Sequence, residues 1–427
     1  MRLGGSFVLK GDLCFSLSPQ ELKTIEKGYL VCEDGICGGA YRDLPERWRG
    51  LPLEDCGDKL IIPGLVDLHT HAPQYASRGL GLDAELIEWL SRQTFPEEAR
   101  YRDIDYAQRA YHAFVEEVRM GPNTRMCVFA TNHVPATLLL MDLLEASGLV
   151  CLVGKVNMDR HSDAALQEES AEASLSDTRM WLRKAHEEKH YANTSPILTP
   201  RFIPSCSDDL MRGLKVIQHQ HGLPLQSHLA ENREEVAWVQ SLCPAAASYS
   251  EAYHAFGLFG GDTPTVMAHC VWVSDAELDL MQAQGVFVAH CPQSNMNLAS
   301  GIAPVRKFLE RGIPTGLGSD MSAGCHTSIF RAMTDAIQVS KLYWCLVDQA
   351  CKPLCLEEAF YMGTMGGGAF FGETGSFLPG YEFDALVIDD SGSGTPNPLD
   401  ISERLARLVY RPEACELVKK FVRGIDI

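Results

Sequence analysis

An α/β fold is predicted: a TIM-like (β/α)8 barrel with a small β-sandwich domain formed by the N- and C-terminal segments. Three features predict it. Between residues 61 and 322, eight short apolar runs alternate with amphipathic stretches, the count that a closed parallel barrel requires. The segments before and after them read instead as strands joined by turns. No glycine fingerprint for a nucleotide phosphate follows the first run, which disfavours an open doubly wound sheet.

In chain order, SFVLKGDLCFSL, KGYLVCEDGICGGAY with its Asp34-Gly35 turn signal, and DKLIIPGLVDLHTH form the N-terminal strands. The eight barrel runs are IIPGLVDLH, TRMCVFAT, LVCLVGKVNM, PILTPRFI, LPLQSHLAE, PTVMAHCVW, GVFVAHCPQ and PTGLGSDMS, apolar as strands covered on both faces must be. Helices separate them: DIDYAQRAYHAFVEEVRM has Asp103 as N-cap, and SDAELDLMQAQG has Ser274 and Glu277 at capping-box spacing with Gly285 at its end. Strand character returns in TGSFLPGYEFDALVIDDS, and LARLVYRPEACELVKKFVRG reads as strand, turn, strand. The expected division is residues 1–62 and 373–427 as the two parts of the β domain, with 63–372 as the barrel.

Composition limits the partners. With 56 acidic against 37 basic residues the formal charge is −19, which repels nucleic-acid polymers and anionic membranes but not a single free base. No run of 18 apolar residues is present, and MRLGGSFVLKGDLCF, with Arg2 as its only early charge, lacks a signal-peptide core. The 15 cysteines are an odd number, scattered mostly through apolar segments; reduced, buried thiols and a cytoplasmic location are expected.

Polar residues gather at the ends of the runs. His69 and His71 stand at i and i+2 on the first strand and so share a face. His228 ends the fifth strand, His269 the sixth and Asp320 the eighth, all at the barrel end where active sites are built. Imidazoles with one carboxylate suit a borderline divalent ion, zinc or ferrous iron. Glu231, three residues after His228, reads either as a proton carrier beside a metal-activated water or as a glutamate at a helix N-terminus. Strand four carries Arg201 where a two-metal site would want a bridging lysine, so one metal is expected. Glu234 and Glu235 read as a solvated face, His290 as structural, His133 as a pocket candidate, and His112, His186, His190, His219 and His221 as helix surface.

PGLVDLHTHAPQY (63–75), LIEWLSRQTFPEE (86–98), LTPRFIPSCS (198–207), QSHLAEN (226–232), MAHC (267–270), HCPQSNMNLASG (290–301), LGSDMSAG (317–324) and GSFLPGYEFDALVID (375–389) resemble the amidohydrolase superfamily. Within it they are most similar to the single-metal aminohydrolases that act on a free purine base. The resemblance covers nearly the whole chain and implies the metal-dependent hydrolase type of barrel. It implies His69, His71, His228 and Asp320 as metal ligands, and Glu231, Asp320 and His269 as the catalytic groups, with His269 holding the reacting water. Gln74, Arg201 and Phe202 would contact substrate alongside His228, Glu231 and Asp320. From the residues alone, Arg201 reads equally as a strand-end ion pair and Phe202 as core. LIEWLSRQTFPEE is either a lid over the site or a surface helix stopped by Pro96.

The resemblance further implies one divalent ion per subunit (zinc, with iron as the alternative), a homodimer, and hydrolysis of guanine to xanthine and ammonia. Competing readings are an aminohydrolase for another purine, a pterin or a triazine, and a non-catalytic, assembly-forming relative. Two departures from the family pattern are Pro122-Asn123, where Gly-Thr-Thr is usual, and the MSAGCHTSIF segment after Asp320.

Overall fold

Eight parallel strands close into a barrel in the structure, a computed structural model that describes residues 5–394 and 396–427. Arg2 lies outside the described residues. Leu65–His71, Asn123–Phe129, Val150–Gly154 and Thr194–Pro196 form one half. Leu225–Leu229, Thr265–His269, Phe287–His290 and Thr315–Leu317 form the other. The halves join where Gln226 N donates to Leu198 O at 2.9 Å, and where Asp320 N donates to His69 O at 2.8 Å. Every residue of the first two strands is buried, as their continuous apolar runs require.

The apolar run PILTPRFI is split. Thr194–Pro196 pairs with Val150–Gly154, and Thr199–Pro200 pairs with Val156–Asn157. This break lets the chain turn so that Arg201 and Phe202 follow at the barrel mouth. Helix Ile104–Met120 is capped by Asp103, and Asp275–Gln284 carries the Ser274–Glu277 capping box with Gly285 at φ 64°.

The terminal segments form the small β-sandwich, hydrogen-bonded as one seven-stranded sheet. Leu53–Pro63 lies at its centre, parallel to Phe7–Ser18 and antiparallel to Ala385–Asp389. Phe7, Phe15, Phe377, Phe383 and Phe421 fill the core of this module. From Pro63 the chain passes through Gly64 into the first barrel strand. A Cβ on Gly64 would meet Thr124 Oγ1 at 2.2 Å, so only glycine permits that crossing. Arg125, fully buried, bridges barrel and sandwich: its Nε donates to Asp384 Oδ2 at 2.6 Å and its Nη2 to Glu382 Oε2 at 2.6 Å.

Two sequence expectations are corrected. LARLVY is not a strand but part of helix Ile401–Tyr410. Ile401, Leu405, Leu408 and Val409 repeat at helical spacing and are buried, and Asp400 with Glu403 forms a capping box. Pro96 does not end the LIEWLSRQT helix either. The chain continues from Leu86–Trp89 through a π-helical turn, Leu90–Thr94, into Phe95–Ala99. Proline has no N–H to donate and crowds the carbonyl four residues back, so a wider turn precedes it. Among the described residues no helix is long and apolar enough to cross a membrane, and all 15 cysteines are free.

Candidate active site

At the C-terminal mouth of the barrel the imidazoles converge. His71 Nε2 lies 3.2 Å from His69 Nε2 and 3.2 Å from His228 Nε2. Asp320 Oδ1 lies 3.2 Å from His69 Nε2 and 3.5 Å from His71 Nε2. Four ligand atoms at tetrahedral corners, about 2.0–2.1 Å from a metal ion, sit about 3.3 Å apart, so this spacing is that of a metal-ligand set. Orientation agrees with it. His228 Nδ1 is 2.6 Å from the Arg201 carbonyl, so Nδ1 carries the proton and Nε2 turns its lone pair inward.

Protonation favours the same role. Burial holds His69 below its ordinary value, and holds His71 and His228 well below theirs, which keeps them neutral. Burial alone would raise Asp320, but the neighbouring imidazoles of His69, His269 and His71 outweigh it and keep the carboxyl well below the usual range. These residues form a His/His/Asp metal-binding group. Cys291 also lies within reach of His69 and Asp320. Burial pushes its thiol far above the ordinary value, and a protonated thiol is a poor ligand.

The backbone is bent to make this arrangement. Ala230, His269 and Asp320 have φ of 50°, 74° and 47°, left-handed conformations that non-glycine residues adopt at a cost. Ala230 turns the chain after the fifth strand, so that Glu231 points back into the site. Gly318 is required by the packing: a Cβ there would lie 2.9 Å from His69 Cβ. Asp67, on the same strand face as His69 and His71, accepts from His69 N at 3.1 Å and Ser319 Oγ at 2.6 Å, tying strand one to strand eight.

Glu231 is 4% exposed. Its Oε1 accepts from Ser300 Oγ at 3.0 Å and its Oε2 lies 3.3 Å from His269 Nε2. Burial raises its carboxyl from an ordinary 4.5 to about 7, against the lowering influence of His269. Burial would lower His269, but the Glu231 and Asp320 carboxylates raise it, and Asn295 Oδ1, 2.9 Å from its Nδ1, fixes the ring.

A pocket opens over this cluster. His71, Gln74, Arg201, Phe202, His228, Glu231, His269 and Asp320 line it, with Trp89, Leu90 and Leu298. His69 lies just beneath, in contact with His71 and Asp320. The LIEWL segment is therefore a wall of the pocket rather than a free surface helix.

Arg201 is both of the things its sequence position suggested. It lines the pocket, and it makes a buried two-point ion pair with Glu98, Nη1 to Oε2 at 2.6 Å and Nη2 to Oε1 at 3.1 Å. Gln74 Nε2 donates to the same Glu98 Oε1 at 2.8 Å, and Gln74 Oε1 accepts from Ser322 N at 3.2 Å.

Some readings change. Glu235 is not on a solvated face: it is 1% exposed, lines the cavity, and accepts from Glu231 N, Asn232 N and Tyr249 Oη. Its capping-box spacing to Asn232 was the available signal. His133 opens onto a different cavity beside Arg102 and Glu168. His290 is buried and neutral, lowered by burial to about 4.

A TIM-like barrel with a His-x-His strand and strand-end His and Asp residues defines a metal-dependent hydrolase, and the chain belongs to the amidohydrolase family, which it matches over residues 60–425. More particularly, it is 40% identical to guanine deaminase of Dictyostelium discoideum, over 96% of this chain and 89% of that protein. It is 36% identical to guanine deaminase of Mus musculus, over 86% and 83% of the two chains. A crystal structure of guanine deaminase from C. acetobutylicum with bound guanine in the active site superposes with a TM-score of 0.94 at 42% identity, covering 99% of this chain and 100% of that one.

Proposed function

We infer that this protein hydrolyses guanine to xanthine and ammonia, using one divalent metal ion, zinc, held by His69, His71, His228 and Asp320. The observation that carries the reading is the polar wall of the same pocket, where Arg201 and Gln74 are locked by Glu98 into fixed orientations. Guanidinium and amide N–H groups suit the carbonyl and ring-nitrogen edge of guanine. Adenine lacks that carbonyl. Phe202 lines the same cavity as an apolar face for the ring, packed edge-on against Trp238 at 6.3 Å.

When bound, the metal supplies a Lewis acid and an acidified water as the source of the nucleophile. The chain's own groups move the protons. Glu231, with a carboxyl near neutrality, gives a proton to the ring nitrogen beside the amine-bearing carbon, which makes that carbon electrophilic. Asp320, ionised at all working pH, accepts the proton of the attacking water. Asp320 then gives that proton to the departing amine, Glu231 recovers a proton from the new hydroxyl as it becomes the carbonyl, and His269, fixed by Asn295, holds the water in line. The wall of Arg201 and Gln74, held from behind by Glu98, keeps the base from rotating while this occurs.

The test is turnover of guanine, adenine, 8-oxoguanine, cytosine and melamine by metal-loaded protein, followed by ultraviolet absorbance and ammonia release. Guanine is expected to exceed adenine by roughly 10⁴-fold in kcat/KM, because buried donors left unpaired penalise the wrong base. Turnover of adenine but not guanine would overturn the assignment.

A further inference from the structure

Resting on guanine as the substrate, we propose that Glu98 is a positioning residue that sets which purines the pocket holds and which it releases. Glu98 does not line the cavity. It sits behind Gln74 and Arg201, 2% exposed, and touches both. Its position comes from the π-helical turn at Leu90–Thr94: Trp89 and Leu90, before and within that turn, line the cavity, while Glu98 beyond it lies behind the two polar residues.

A carboxylate only accepts hydrogen bonds. The Gln74 amide therefore has to face Glu98 with its nitrogen, and Ser322 N holds the oxygen at the other end. The amide cannot flip without facing acceptor to acceptor and donor to donor. Two of the guanidinium's five N–H groups also go to Glu98, which fixes its plane, and the Phe95 ring lies 5.1 Å from the guanidinium carbon. One carboxylate thus decides the donor pattern of a whole wall.

The second consequence is charge. Arg201 and Glu98 are each 3% exposed at the side chain and cancel one another within the protein. Guanine is neutral. Its hydrolysis product exchanges the amine for a second carbonyl, which makes the ring more acidic. The anion of the product meets an Arg201 already neutralised, with a carboxylate behind it. Glu98 therefore keeps the arginine available as a hydrogen-bond donor without making the pocket a trap for anionic xanthine.

Glu98→Gln and Glu98→Asp test this against wild type, with kcat and KM for guanine and inhibition by xanthine measured below and above the pH at which xanthine ionises. Metal content and the melting temperature report on the fold. In Glu98→Gln the guanine KM is expected to rise at least tenfold with a smaller change in kcat. Xanthine ionisation should strengthen inhibition there, where in wild type it weakens it. Glu98→Asp keeps the charge and so the wild-type pH trend, while its shorter reach raises KM. Wild-type KM and pH trend in Glu98→Gln overturn the proposal, as does a parallel fall of kcat and kcat/KM with the pH trend unchanged. If Glu98→Gln does not fold, Glu98→Asp decides, since a wild-type KM in that variant overturns the positioning role. If wild type does not turn over guanine, the substrate assignment fails instead. Equilibrium binding of guanine and xanthine to the same metal-loaded proteins then reads the role of Glu98 separately.

Discussion

Replacing Glu231 with glutamine is expected to lower guanine turnover by at least about 10²-fold while leaving the bound metal in place. The carboxylate is not among the converging ligand atoms: its partners are Ser300 Oγ at 3.0 Å and His269 Nε2 at 3.3 Å. Glutamine matches its volume and still accepts from Ser300, but it cannot exchange a proton. Burial places the carboxyl at about 7, where both protonation states are populated at neutral pH, as a residue that first gives and later recovers a proton requires.

The same substitution has an opposite effect on stability in metal-stripped protein. The folded carboxyl, at about 7 against an ordinary 4.5, holds its proton more tightly than the unfolded chain does. The stability this contributes is complete below the ordinary value and is lost as pH rises through about 7. Glutamine escapes that loss. Urea unfolding of the stripped variant and stripped wild type is expected to agree near pH 4.5 and to favour the variant by up to about 3 kcal/mol at pH 8. Full activity in Glu231→Gln would remove the proton-transfer role; a pH-independent stability difference would remove the ionisation argument.

His71→Ala is expected to abolish both stoichiometric metal and activity with little cost to the fold. His71 is the central member of the set, 3.2 Å from each of two other imidazoles. Its Nδ1 has no hydrogen-bond partner, so on that side deleting the ring breaks no hydrogen bond. Removing groups that merely orient ligands costs about 10- to 100-fold in metal affinity, and losing a ligand itself costs more. Elemental analysis after dialysis checks the first effect and guanine turnover the second. Unchanged metal content with intact activity would count against the ligand assignment.

The convergence of these residues at the barrel mouth was legible because a strand writes its geometry locally. His69 and His71 share a face by the two-residue period, and His228, His269 and Asp320 each end an apolar run. Glu98 was not legible. In FPEEARYR it looks like an ordinary charge in the first turn of a helix, and its burial is decided by Arg201, 103 residues away. Glu235 was hidden in the same way by its charged neighbours, although its capping-box spacing to Asn232 was on view. The helix Ile401–Tyr410 was misread for another reason: LARLVY is short and apolar enough for a strand, and only the longer window from Asp400 shows the four-residue period.

Metal-stripped protein titrated with zinc, with xanthine formation from guanine followed at each addition, tests the central claim most directly. Activity is expected to rise linearly and to level off at one zinc per chain. Guanine turnover that is indifferent to zinc, or that requires two equivalents, would contradict a single-metal guanine aminohydrolase built on His69, His71, His228 and Asp320.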